Sequence, residues 1–241
     1  NGKGTTSLLI NQLKMEENEH INPSIKPYDG LFALVSSRLF IRLEYGFVSE
    51  TTATFLTVAG HLVQVHLSNI EVHGFNSVTP GGGVVNVVQA ESSYLSIKNS
   101  SFCNGNNYGT GGVVSIIALD TTLIIENSII QNVTSFNSGG VVYIQSLIDA
   151  RLKSRNRGKR FMARLHVNNS SFSYSTSKFG GGVMYLFADN LLVVVRNSSF
   201  LRNNAAHYGG AMSIFAYDTA AIHLYNDYFV ENSADDGGIV Q

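Results

Sequence analysis

Carboxylates, imidazoles and a basic run are the side chains of this chain that could do chemistry. Asp189, Asp235 and Asp236 are the acids with the best case, since hydrolysis of a glycosidic bond needs two or three carboxylates converging on one groove. Asp189 nevertheless falls at an apparent turn, as do Asp120 and Asp218, and Asp235-Asp236 lies beside a glycine pair. A turn role accounts for all of them without catalysis. His66, His166 and His223 occupy equivalent places in separated repeats, which argues against a metal cluster. No phosphate loop, nucleophile elbow or zinc-ligand spacing occurs. The sequence therefore points to no catalytic residue, no metal and no cofactor. Cys103, the single cysteine, cannot form an internal disulfide and reads as a packed thiol.

Arg151, Lys153, Arg155, Arg157, Lys159 and Arg160, with Arg164 just beyond, hold 7 of the chain's 16 Lys and Arg. The bland reading is a solvated loop over 151–164. The sharper readings are contact with a polyanion and a dibasic processing site. Sequons for N-glycosylation stand at Asn99, Asn132, Asn168, Asn169 and Asn197. Asn132 and Asn168 are the better acceptors in this reading, because the other three belong to a repeated column expected to be buried.

That column is part of a repeat that organises the chain. Glycine pairs stand at 82-83, 111-112, 139-140, 181-182, 209-210 and 237-238, with steps of 29, 28, 42, 28 and 28 residues. The long step contains the basic run. Aligning the copies gives an invariant column, Asn69, Asn99, Asn127, Asn169, Asn197 and Asn226. Positions two and four before it and three after it are apolar in all six copies, and each glycine pair opens a second segment of inward-outward alternation. Such alternation in segments rich in β-branched residues means strands with one buried face. A fixed period of ~28 residues means stacked coils. The expectation is an all-β, right-handed parallel β-helix of eight or nine coils, a rod roughly 40 Å long. The Asn column would form a coil-to-coil amide ladder. Leucine-rich repeats share the period, but their pattern and helix are absent. Residues 11–29 read as an exposed loop, and residues 1–241 as one solenoid domain.

Apolar residues make up 44% of the chain and charged residues 14%, the latter well under the usual share, so much of the surface is polar but uncharged. A net charge of −1 predicts no general affinity for nucleic acid. No apolar run is long enough for a membrane-spanning helix. The first residues, Asn-Gly-Lys, show no signal-peptide pattern and suggest a processed piece of something longer. Solenoid ends without caps invite stacking, so the expected partners are further coils of the same chain or other copies joined end to end.

Phe200-Leu-Arg-Asn203 and Phe229-Val-Glu-Asn232, followed by Gly-Gly-Ala-Met and Gly-Gly-Ile-Val, resemble the Phe-x-x-Asn and Gly-Gly-Ala-Ile repeats of polymorphic outer membrane proteins. The resemblance covers about residues 60–241. It departs at Phe102-Cys-Asn and Phe172-Ser-Tyr, in the Val that replaces Ala in most glycine motifs, and in the lack of an autotransporter barrel. It implies a secreted or surface-displayed passenger or scaffold. The leading expectation is a non-enzymatic extracellular scaffold or adhesive fibre component, its Asn-rich face meeting glycans or other surface proteins. Two other readings stay open: a pectinase-like carbohydrate-binding or carbohydrate-cleaving β-helix, and a monomeric receptor-binding adhesin. The companion motifs of pectinases are missing.

Overall fold

The computed structural model describes residues 7–16, 30–35, 37–78, 80–146 and 161–240. They form a β-solenoid of about seven parallel coils, with no helix among the described residues. Each coil has three walls, and each wall exists because one aliphatic or aromatic column must leave water.

The first wall holds β2 (Gly30–Val35), β4 (Thr54–Ala59) and β10 (Val142–Ser146). It also takes the opening halves of β6 (Val85–Lys98), β8 (Val114–Glu126), β14 (Met184–Arg196) and β17 (Met212–Tyr225). One inward column of this wall runs Phe32, Leu56, Val85, Val114, Val142, Met184, Met212 through the whole stack. The second wall takes the later halves of those long strands, the opening halves of β3 (Arg38–Thr51) and β5 (Leu62–Ser77), and β11 (Met162–Asn168). Its inward column is Ile41, Val65, Leu95, Leu123, Leu165, Val193, Ile222.

The third wall takes the later halves of β3 and β5, then β7 (Ser101–Asn107), β9 (Ile129–Ser135), β12 (Ser171–Ser173), β15 (Ser199–Leu201) and β18 (Tyr228–Val230). Two short strands, β13 (Thr176–Ser177) and β16 (Asn204–Ala205), continue it past a bend. Its inward column is Val48, Val72, Phe102, Ile130, Phe172, Phe200, Phe229. Where the column turns aromatic the rings stack along the axis, Phe172 on Phe200 at 5.0 Å and Phe200 on Phe229 at 4.7 Å. The three columns merge into one continuous core along the rod. At the strand spacing of ~4.8 Å, seven coils make a rod of roughly 34 Å.

Three boundaries differ from the sequence reading. The count is about seven coils rather than eight or nine, because residues 7–10 of the strand expected over Gly4–Ile10 add no parallel coil. Instead β1 (Ser7–Glu16) lies antiparallel on β3, with Gln12 opposite Glu44 and Glu16 opposite Phe40. Residues 11–16 of the expected loop thus belong to a strand, and 17–29 lie outside the described residues. The basic insertion ends before Met162, because Arg164 already sits in β11, in register with Thr122 and Leu192.

Val193 and Val195 are fully buried, while their counterparts Ile222 and Leu224 in β17 are about two-fifths exposed. Among the described residues no strand covers them. None of the described residues forms a helix long and apolar enough to cross a membrane.

Candidate functional site

The corners explain the repeated polar residues. All six aligned asparagines take left-handed backbone, with φ between 48° and 54°. Asn tolerates this conformation better than any other residue with a side chain, except where Gly is used. A second left-handed corner follows five residues later in every copy, at Gly74, Asn104, Asn132, Tyr174, Arg202 and Glu231. The sequence reading missed it because side chains of several kinds fill it. A third lies at the first glycine of the pairs, at Gly111, Gly139, Gly181, Gly209 and Gly237. The second glycine is needed for space: a Cβ on Gly140 would stand 1.9 Å from the carbonyl oxygen of Gly182 in the next coil.

The aligned asparagines do line up, but on the outside. Asn69 is half-buried and the other five are exposed, against the expectation of a buried amide row. Asn127 donates through Nδ2 to Asn99 Oδ1 at 3.2 Å, Asn169 to Asn127 at 2.8 Å and Asn226 to Asn197 at 3.4 Å. Asn69 donates sideways to Ser68 Oγ instead. An amide pair with one buried member is elsewhere, at the Asn of the Phe-x-x-Asn motif. Asn203, fully buried, donates to the Phe172 carbonyl and to Asn232 Oδ1, and Asn232 donates to the Phe200 carbonyl.

A serine row lies just inside the outer asparagines. The amides of Ile70, Ser100, Ser128 and Ser170 donate to the hydroxyls of Ser100, Ser128, Ser170 and Ser198, each in the next coil, at 3.1–3.2 Å. Those hydroxyls in turn donate to the carbonyls of Lys98, Glu126, Asn168 and Arg196. In the seventh coil Asp227 takes the place of Ser and accepts the Ser198 amide at 2.8 Å. The repeated Asn-Ser step carried this signal in the sequence.

The remaining candidates scatter over the rod. Asn132 and Asn168 are exposed; Asn132 donates to Asn104 Oδ1 at 2.8 Å, and the Asn168 carbonyl takes the Asn127 amide. The sequons at Asn99, Asn169 and Asn197 are equally exposed, so burial does not separate the two groups. Arg151, Lys153, Arg155, Arg157, Lys159 and Arg160 lie outside the described residues. Asp236 stacks through Tyr208 on Gly180, at the start of the first wall, whereas Asp189 marks that wall's end. The acids Asp189, Asp235 and Asp236 therefore do not share a groove. Among the described residues no three His, Cys, Asp or Glu groups are placed to hold a metal. Burial pushes the Cys103 thiol up, with help from Glu71.

One concave site does gather polar side chains, and it is on the second wall, across β3, β5 and β6. Phe40, Arg42, Glu44, His66, Ser68, Ser96 and Lys98 line a half-open recess of about 320 Å³. The His66 ring sits between Phe40 and Tyr94, at 5.3 and 5.2 Å. Arg42 Nε donates to Glu44 Oε1 at 2.8 Å, and Lys98 pairs with Glu126 at 2.7 Å. Burial holds His66 below its ordinary value, and Arg42 and Lys98 add to the effect. The Glu126 hydrogen bond raises Lys98. The sequence reading gave His66 no role and did not consider Phe40, Arg42 or Glu44, since this coil precedes the first glycine pair.

The fold and its corners define the class of this protein as a parallel β-solenoid. No protein-family model, curated protein or solved structure matches the chain.

Proposed function

We propose that this chain is a non-enzymatic extracellular scaffold, a rod segment of a surface fibre or adhesive structure, similar in design to the repeats of polymorphic outer membrane proteins. The observation that carries the reading is the use made of the repeated polar residues. The serine row and the asparagine rows bond along the axis, coil to coil, and so spend their chemistry on length and stiffness. Hydrolysis would need Asp189, Asp235 and Asp236 to converge, and they lie at opposite ends of a wall. The exposed sequons, Asn132 and Asn168 among them, suit a glycosylated surface location. The basic residues from Arg151 to Arg160 suit contact with an acidic glycan or an acidic neighbour.

The β17 strand, with Ile222 and Leu224 showing, suits stacking on further coils or on another copy. Electron microscopy of native material tests this directly. Rods longer than the seven described coils are expected. Single compact particles at every concentration, together with turnover of a polyuronide, would sink the reading. Intact-mass measurement before and after glycosidase treatment tests the location, with a mass loss expected.

A further inference from the structure

We infer that the recess on the second wall binds an acidic sugar residue, a pyranose ring bearing a carboxylate, with Arg42 and Lys98 as its anion-holding groups. This goes beyond the scaffold reading and does not depend on it: a rod that assembles but binds no sugar would overturn only the present proposal.

A recess of about 320 Å³ is at the small end of ligand sites, room for one ring and its substituents rather than a long oligosaccharide. Charge comes next. Arg42 on β3 and Lys98 on β6 stand two coils apart, roughly 9.6 Å along the axis at the strand spacing, with the His66 strand between them. Both line the recess, and each is held by one carboxylate: Arg42 by Glu44 of its own strand through Nε and Nη2, and Lys98 by Glu126 of β8. Among the described residues no bond uses Arg42 Nη1, and a Lys ammonium engaged once keeps two further protons. A carboxylate entering between them accepts from both, as charge-assisted bonds do in partly dry sites.

The rest of the lining suits a sugar. Phe40 lines the site with apolar ring surface, Tyr94 backs the His66 ring, and Ser68, Ser96 and Glu44 offer partners for ring hydroxyls. His66 lies at the centre. The groups facing it are Arg42 and Glu44 from β3 and Tyr94, Ser96 and Lys98 from β6, with Gln64 and Ser68 flanking it on β5 and Glu126 behind Lys98 on β8. A bound carboxylate offsets the two cations, so the imidazole takes up a proton more readily in the complex. Its pKa is then higher bound than free. Binding is tightest below the free value, and the gain fades as pH rises through the bound value.

Calorimetric titration of the whole chain tests this with four probes: glucuronate, N-acetylneuraminate, glucose and inorganic sulfate. The expected result is millimolar binding of one or both carboxylated sugars, with glucose and sulfate at least about tenfold weaker. Whichever acid binds tighter names the source. Arg42→Gln and Lys98→Gln should each weaken binding by about tenfold, the loss of one charge-assisted contact. Binding should tighten several-fold as pH falls below the ordinary histidine value of about 6.5, and His66→Gln should flatten that dependence. Arg42 and Lys98 are about half exposed, so neither variant endangers the fold, and unchanged far-UV circular dichroism checks it. Glucose binding as well as glucuronate would overturn the proposal. So would sulfate binding as tightly as either acid, or full affinity in both variants.

Discussion

Ser128 joins two coils through one hydroxyl: its Oγ accepts the amide of Ser100 at 3.2 Å and donates to the carbonyl of Glu126 at 2.8 Å. Both bonds are inside the rod, where Ser128 is 1% exposed. Removing the hydroxyl leaves a buried amide without an acceptor, which costs about 1–3 kcal/mol. Ser128→Ala should lower the unfolding free energy by that amount, seen as a lower urea midpoint with an unchanged slope, and Ser170→Ala should do the same. An unaltered midpoint would mean that water or backbone relaxation replaces the serine row.

Asn127 separates two reasons for an invariant asparagine. Its backbone sits at φ 48°, and on the exposed side its amide donates to Asn99 and accepts from Asn169. Left-handed backbone costs a residue with a Cβ about 1–2 kcal/mol, while each of the two exposed hydrogen bonds contributes roughly 0.5 kcal/mol. Asn127→Ala should therefore destabilise the chain by about 2–3 kcal/mol and Asn127→Gly by about 1 kcal/mol. Equal losses in the two variants would make the amide row, not the corner, the reason for Asn. Chemical denaturation of both variants side by side decides between them.

The columns that align in the sequence are the columns that stack. Leu95, Leu123, Leu165 and Val193 were legible because burial forces one residue class at one spacing, and spacing survives in a linear string. The asparagines were legible as a column but not as corners, since an invariant Asn fits a buried ladder and a left-handed bend equally well. The second corner left no single residue type, because Gly74, Asn104, Tyr174 and Arg202 all serve. The recess was illegible for a different reason. Arg42 and Lys98 come to one recess only through the register of β3, β5 and β6, and the first of these lies in a coil with no glycine pair to mark it.

Tyr143 gives the rod a limit at high pH. Its phenol is pushed up to about 12, mainly by burial and secondarily by Tyr185, and it donates to Gln145 Oε1 at 2.7 Å. In the unfolded chain the same phenol ionises near its ordinary value of about 10. The folded state thus favours the neutral form. The contribution to stability is complete below about pH 10 and is lost as pH climbs toward about 12. Thermal melts across that window should show a falling Tm, and Tyr143→Phe should reduce the fall. A variant that loses stability as steeply as the parent would assign the effect to other groups.

Glycine at the wall junctions is required to very different degrees, and two positions show the contrast. A Cβ on Gly140 would meet backbone, at 1.9 Å from the Gly182 carbonyl oxygen and 2.9 Å from that of Thr176. A Cβ on Gly180 would meet only side-chain atoms, Ser213 Oγ at 3.1 Å and the Tyr185 ring at 3.3 Å. Backbone cannot yield without parting the coils, whereas a hydroxyl and a half-exposed ring can turn aside. Gly140→Ala should therefore cost about 3 kcal/mol or more, the upper range for overpacking, and lower Tm by roughly 6–12 °C. Gly180→Ala should stay within about 1 kcal/mol of the parent. Differential scanning calorimetry of the two single variants checks both values. Similar losses at the two sites would show that the coil spacing can open to admit a methyl group, and that the paired glycines serve the turn conformation alone.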